Sequence, residues 1–331
     1  MKIKADRFRL LFLLMVLMLS GSAYAQLPGL SQFWLAPQTN TPAALTGSDY
    51  AQFSSHYRRQ AISEDLGYHS YVLSGSLPLY YKEGNRFGTA GLSLLHDRSG
   101  QFGLLTTNGL MASFSYETRL STQHHLVGGL QAGYFNRGIN WSKVRTDAQW
   151  QHGVYDPNAG VGENWTPERS GVLVINAGIG YHRLNQAGQN QLRIHLGASN
   201  LSKSSFDHLE GDREEPLPLG LTFFTDYVAY RNEYYELIPM LRWQWEAGLG
   251  DLHTGIMLKR ALKAGGVEDN HLGLAILYSG QQTAIFSLQL IQPTFLFAIG
   301  YDLALGEAAP ATRNAVEASL GWRFNRASSG K

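Results

Sequence analysis

Apolar and polar residues alternate with period two along most of this chain. Residues 126–134 put Leu126, Leu130 and Tyr134 on one face and mostly small or polar side chains on the other. Residues 191–199 set Leu192, Ile194, Leu196 and Ala198 against Arg193, His195, Gly197 and Ser199. Residues 235–245 set Leu237, Leu241, Trp243 and Trp245 against Glu236, Arg242 and Gln244. Near the end, Val316, Ala318, Leu320, Trp322 and Phe324 oppose Glu317, Ser319, Gly321 and Arg323. Each stretch is a strand with one apolar face. Strands read between turn signals number about fourteen, within a range of 12–16. They begin near residues 50, 68, 86, 104, 124, 170, 191, 218, 234, 251, 270, 283, 293 and 315.

A soluble sandwich also alternates, with its polar face in water. Two features favour a membrane instead. The apolar faces end in aromatics (Tyr134, Tyr181, Trp243, Trp245, Tyr301, Trp322, Phe324), as interfacial girdles do. The polar faces are rich in Gly, Ser and Ala, which suits a crowded lumen. The expected fold is all-β, a transmembrane antiparallel outer-membrane β-barrel over residues 49–325. With the chain entering from the periplasm, the longest connections (142–169, 202–217 and 306–314) fall on the extracellular side. Short turns at 82–85, 122–123, 185–190 and 231–233 fall on the periplasmic side, the asymmetry of outer-membrane barrels. An even strand number follows, and closure leaves no free edge.

The chain opens on a different pattern. Lys2, Lys4, Arg7 and Arg9 precede an apolar run from Leu10 to Leu19, and Ala23-Tyr24-Ala25 fits a cleavage site. Residues 1–25 therefore read as a signal peptide, the apolar run being too short to span a bilayer. The mature chain of 306 residues (331 − 25) carries 23 Lys+Arg (27 − 4) and 25 Asp+Glu (26 − 1). That near-neutral balance gives no electrostatic reason to expect nucleic acid. With no cysteine, disulfides, thiol catalysis and a lipoprotein anchor are excluded. Residues 26–48, with Pro28, Pro37 and Pro42, read as an irregular segment that plugs the lumen or lies under the barrel. Residues 326–331 form a short tail.

Candidate chemistry is thin. His124-His125 falls at a turn, His152 in a long loop without a matching Ser–acid pair, and His56 beside Ser54 and Ser55 on the first strand. No HExxH, GxSxG or P-loop occurs, so no enzyme, metal or cofactor is expected. Asp147, Asp156 and Glu163 share one loop and Asp207, Glu210, Asp212, Glu214 and Glu215 another, and both read as solvated surface. The charges on strands are more informative. Arg58 and Arg59, Arg193, Arg242, Asp302, Glu317 and Arg323 are expected to project into the lumen, where they must pair or bind water.

Several patches resemble the PorP/SprF family of type IX secretion outer-membrane proteins. Gln26-x-Pro28-x-x-Ser31-Gln32-Phe33 is followed by Ala36-Pro37, where the family has Asn-Pro, and by Asn40-x-Pro42-Ala43-x-x-Gly47. Tyr57-Arg58-Arg59-Gln60, Gly91-Leu92-Ser93, His96-Asp97-Arg98-Ser99-Gly100 and Gly300-Tyr301-Asp302 come next in order. Glu317-x-Ser319-Leu320-Gly321-Trp322-Arg323-Phe324 closes the set, with Val316 where the family often has His. The resemblance implies a Gram-negative outer-membrane component that supports export or surface attachment of large proteins such as gliding adhesins. Implied partners are outer-membrane lipid, periplasmic ring and peptidoglycan-binding subunits, and a secreted surface protein. Gln26, Pro28, Ser31, Gln32, Phe33, Pro37, Asn40 and Pro42 are the expected docking residues. A channel for small or hydrophobic solutes is the alternative, and a lipid-modifying enzyme a third.

Overall fold

Strands of alternating character bury one face each and, in lipid, must leave no backbone group unpaired, which only a closed sheet achieves. The computed structural model shows such closure. It describes residues 29–46, 50–61, 67–100, 103–140, 147–151, 154–156, 159–160, 169–206, 216–262, 270–306 and 314–324. The expected signal peptide, Gln26, Pro28, Gly47, His152, Glu163, the 207–215 acidic cluster and the tail lie outside these residues.

The barrel is a closed 14-strand antiparallel sheet. Its strands are β1 (Ala51–Gln60), β2 (Tyr68–Tyr80), β3 (Arg86–Ser99), β4 (Leu105–Arg119), β5 (His124–Ile139), β6 (Arg169–Leu184) and β7 (Asn190–Ser199). The second half holds β8 (Gly220–Tyr227), β9 (Tyr235–Glu246), β10 (Leu249–Ala261), β11 (His271–Ser279), β12 (Thr283–Ile291), β13 (Phe295–Ala304) and β14 (Ala315–Phe324). Each begins within two residues of its expected start. Sequential strands pair, and β1 pairs β14 from Ala51↔Phe324 to Gln60↔Ala315. Tyr230–Arg231 adds a short rung beside β9, and Trp150–Gln151 with Val154–Tyr155 forms a small separate hairpin.

Both ends of β1–β14 lie at the rim of short turns, and the connections at 140–168, 200–219 and 305–314 lie at the other. One connection departs from the expected asymmetry. The 262–270 link between β10 and β11 falls on the short-turn rim yet is not short.

The outer face shows what surrounds it. A broad band of exposed aliphatics, including Leu92, Leu130, Ile179, Ile256 and Leu288, circles the middle. Tyr71, Tyr134, Tyr278 and Tyr301 ring the long-loop end of that band, and Phe53, Tyr116, Tyr227 and Trp322 the other end. An apolar belt between aromatic girdles is a lipid-facing surface. Strict alternation also corrects one expectation. Arg58 points inward, whereas its neighbour Arg59 is exposed on the outer face, because successive side chains take opposite faces.

Leu130 and Leu120 are equally exposed, at 63%, but Leu130 sits mid-strand and Leu120 in a rim turn. Leu130→Arg should therefore destabilise the barrel by about 2–4 kcal/mol, and Leu120→Arg by about 0–1 kcal/mol. Denaturant titration of the protein folded in lipid vesicles measures both, and equal penalties would deny that Leu130 faces hydrocarbon.

Candidate functional site

The inner faces of the strands converge on residues 29–46. Two prolines, each opening a short 3-10 helix (Pro37–Thr39 and Pro42–Leu45), keep this segment out of the sheet. It lies inside the barrel. Leu30 packs in a cluster with Val72, Leu95 and Phe135 toward the long-loop end. Leu35 reaches Ile291 and Leu296 at the short-turn end. Thr41 then returns to mid-height, where its hydroxyl donates to Leu196 O at 3.4 Å.

Its backbone groups need partners away from water, and the wall supplies them. Glu317 accepts the N–H of Ser31 through Oε1 (2.6 Å) and that of Gln32 through Oε2 (2.9 Å). The Ser31 hydroxyl donates to Asp302 Oδ2 at 2.6 Å. Arg58 Nη1 donates to Ser31 Oγ (2.6 Å), Asp302 Oδ2 (2.6 Å) and Glu317 Oε1 (2.5 Å). Three strands and the segment thus share one buried charge cluster. Arg242 holds the next turn, donating to Leu30 O (3.0 Å) and Asn40 Oδ1 (3.3 Å). Its other nitrogens meet His253 Nδ1, and its guanidinium lies 4.5 Å over the Phe33 ring. Phe33 is fully buried and meets Trp34 and Phe224 edge-on. Ser287 donates to Gln32 Oε1 at 3.0 Å, and Trp34 Nε1 donates to Gln289 at 3.0 Å.

Glycines on the inner face make the room. A Cβ at Gly129 would sit 2.5 Å from the backbone of Pro42 and Ala43. At Gly91 it would meet Gln38 Oε1 at 2.6 Å, at Gly197 the Thr41 side chain at 2.8 Å, and at Gly300 the Gln32 amide at 2.7 Å. Gly178 likewise faces Thr41. The small residues of the polar faces therefore form a mould for the segment.

A second tier of charge lies nearer the short-turn rim and is paired within the wall alone. Arg193 forks onto Asp226, with Nε–Oδ1 at 3.0 Å. Glu236 takes Arg231 at 2.6 Å and Lys259 at 3.5 Å. Glu117 pairs with Arg86 (2.9 Å) and His125 (2.6 Å). The buried His182 and His195 rings approach through their Nε2 atoms at 3.2 Å. His56 sits between Ser54 and Ser319. Charges of both signs packed this way brace a lumen and give it no net direction.

Of the expected lumenal residues, the structure brings Arg58, Asp302, Glu317 and Arg242 around the segment. It puts Arg193 in the second tier. Arg323 lies near the short-turn rim, with Tyr50 5.9 Å away. Of the expected docking residues, Ser31, Gln32, Phe33 and Pro42 are buried among wall residues, and Pro37 and Asn40 are half-buried. Asp226 and Lys259 escaped the sequence reading, and Glu236 was read only as a polar-face residue, although each sits on the inward register of its strand. The glycine mould was legible only as composition.

Gly129→Val should drive residues 40–45 from their seat while the barrel remains folded. The readout is new protease cleavage within 29–46, with the heat-modifiable gel mobility of a barrel retained. Arg58→Met leaves Asp302 and Glu317 buried without their cation, so it should cost about 3–5 kcal/mol in denaturant unfolding.

No curated protein matches the chain in sequence. Among solved structures, the Ralstonia pickettii toluene transporter TbuX is similar at 12% identity, over 88% of this chain and 93% of that one, with TM-score 0.49. The Pseudomonas putida toluene transporter TodX gives 10% identity, 86% and 92% coverage and TM-score 0.49. A Pseudomonas aeruginosa FadL homologue gives 10%, 86%, 93% and 0.48. The family model that matches, over residues 22–322, is that of the type IX secretion system membrane protein PorP/SprF.

Proposed function

This chain belongs to the PorP/SprF family of type IX secretion membrane proteins, and from that premise we propose that it is a closed scaffold of the secretion apparatus rather than a conduit. It is a Gram-negative outer-membrane protein. The observation that carries the proposal is the occupied lumen. Residues 29–46 are tied to β1, β9, β12, β13 and β14 by buried hydrogen bonds and seated on inward glycines. A solute pathway through the barrel would have to displace them.

In this reading the barrel supports export or surface attachment of large cell-surface proteins such as gliding adhesins, and performs no chemistry of its own. Periplasmic ring and peptidoglycan-binding subunits dock on the short-turn rim. Gln26, Pro28 and the half-buried Pro37 and Asn40 stay in the docking proposal. Ser31, Gln32, Phe33 and Pro42 serve it indirectly, by fixing the segment. The long connections at 142–169 and 202–217 face the exported protein.

In planar bilayers the full-length protein should show no steady conductance, and deletion of residues 29–46 should open one. Steady conductance by the intact protein would favour the solute-channel alternative. A clean gene deletion with complementation tests the role itself. Loss of one or a few large surface proteins is expected, whereas an unchanged exported set with reduced solute uptake would overturn it.

A further inference from the structure

The outer face of β1–β4 carries a graded ladder that neither the lumen nor the secretion role uses. Cross-strand register aligns Leu73, Leu94 and Leu110 in an apolar row that begins at the small Ser55. The next outward row toward the long-loop rim is Tyr57, Tyr71, His96 and Asn108. The row beyond it is Arg59, His69, Arg98 and Thr106. Hydrocarbon, aromatic and cationic levels follow one another within two steps of the pleat, which sets the last row at headgroup height.

The upper two rows form a built surface. Tyr57 and Tyr71 pack with centroids 4.8 Å apart, and the Tyr57 hydroxyl lies 3.0 Å from His69 Nδ1. His96 Nδ1–H donates to Asn108 Oδ1 at 2.7 Å, which fixes the ring. Arg98 lies over Gly103, where φ is +70° and a Cβ would come within 2.9 Å of its guanidinium. His69, Tyr71, His96 and Arg98 line a cavity of about 460 Å³. Arg59 and Arg98 are exposed, and neither has an ion pair among the described residues. Asp97, beside Arg98 in the chain, turns inward to accept from Ser70 at 2.6 Å.

We propose that this patch binds the phosphorylated glycolipid of the outer leaflet, with Arg59 and Arg98 on phosphate and the Tyr57–Tyr71 pair against the sugar and upper acyl region. Guanidinium groups suit phosphate oxygens, and these two flank His69 on neighbouring strands. Their position on the long-loop side of the girdle selects the leaflet in which such a glycolipid lies. The inference rests on the barrel's membrane orientation and is independent of its part in secretion.

The test uses purified full-length protein in detergent, with diphosphoryl lipid A, the same lipid stripped of phosphate, and dioleoylphosphatidylglycerol as probes. Native mass spectrometry reads occupancy. Diphosphoryl lipid A should bind, and removing its phosphates should weaken binding on the order of tenfold. R59Q/R98Q should do the same. R169Q, which removes an exposed arginine at the same rim outside the patch, should leave binding unchanged. Equal binding of phosphatidylglycerol would overturn the proposal, as would insensitivity to dephosphorylation or an equal loss in R169Q. Absence of lipid A binding by the wild-type chain would also sink it.

Discussion

Glu317 receives two successive backbone N–H groups of a segment that no sheet could accommodate, and the interior of the barrel is organised around that contact. A carboxylate in a low-dielectric lumen is costly unless its oxygens are saturated. Here the N–H groups of Ser31 and Gln32 and the guanidinium of Arg58 saturate it together. The reverse is also true, because a buried irregular segment has its own unpaired amides to satisfy. Wall and segment each resolve the other's electrostatic problem. Separated, they would leave the Glu317 carboxylate and the segment's amides with unmade hydrogen bonds.

The same reciprocity explains the packing. A barrel lined with large side chains would leave no room for the segment, and one lined only with glycine would leave voids that cost stability. The wall instead places glycine opposite Gln32, Gln38, Thr41 and Pro42-Ala43, and places Phe224, Met240 and Met257 around Phe33. Below this level, the Arg193–Asp226 and Lys259–Glu236–Arg231 pairs complete the filling without help from the segment.

Much of this fold was legible because period-two alternation over ten-residue spans bounded by turn residues fits a strand and no helix. The face of each strand, the strand starts and the inward charges Arg58, Arg242, Asp302 and Glu317 all follow from it. What alternation cannot carry is which inward residue meets which across the lumen. The contact between Ser31 and Glu317 joins residues 286 apart in sequence, and the partners of Gly129 come from a segment without periodicity. The reading also grouped Arg59 with Arg58 as lumenal charges, although the pleat sends one of any adjacent pair outward. Of the residues that resembled a docking motif, Ser31, Gln32, Phe33 and Pro42 are spent on internal contacts, since short motifs do not show whether they face a partner or their own wall.

The charge cluster around Ser31 straddles the junction of β1 with β14, the one strand pairing that no hairpin can make locally. In a chain that folds hairpin by hairpin, that joint is completed last and has the largest loop-closure cost. Because the segment touches β1, β13 and β14 at once, it acts as a template laid across the gap. The segment also runs from the long-loop end at Leu30 back to the start of β1 at the short-turn end, so it passes lengthwise through the finished cylinder. The lumen is thus filled along its length by the stretch that precedes the first strand, as a cask is filled by a spindle set between its staves.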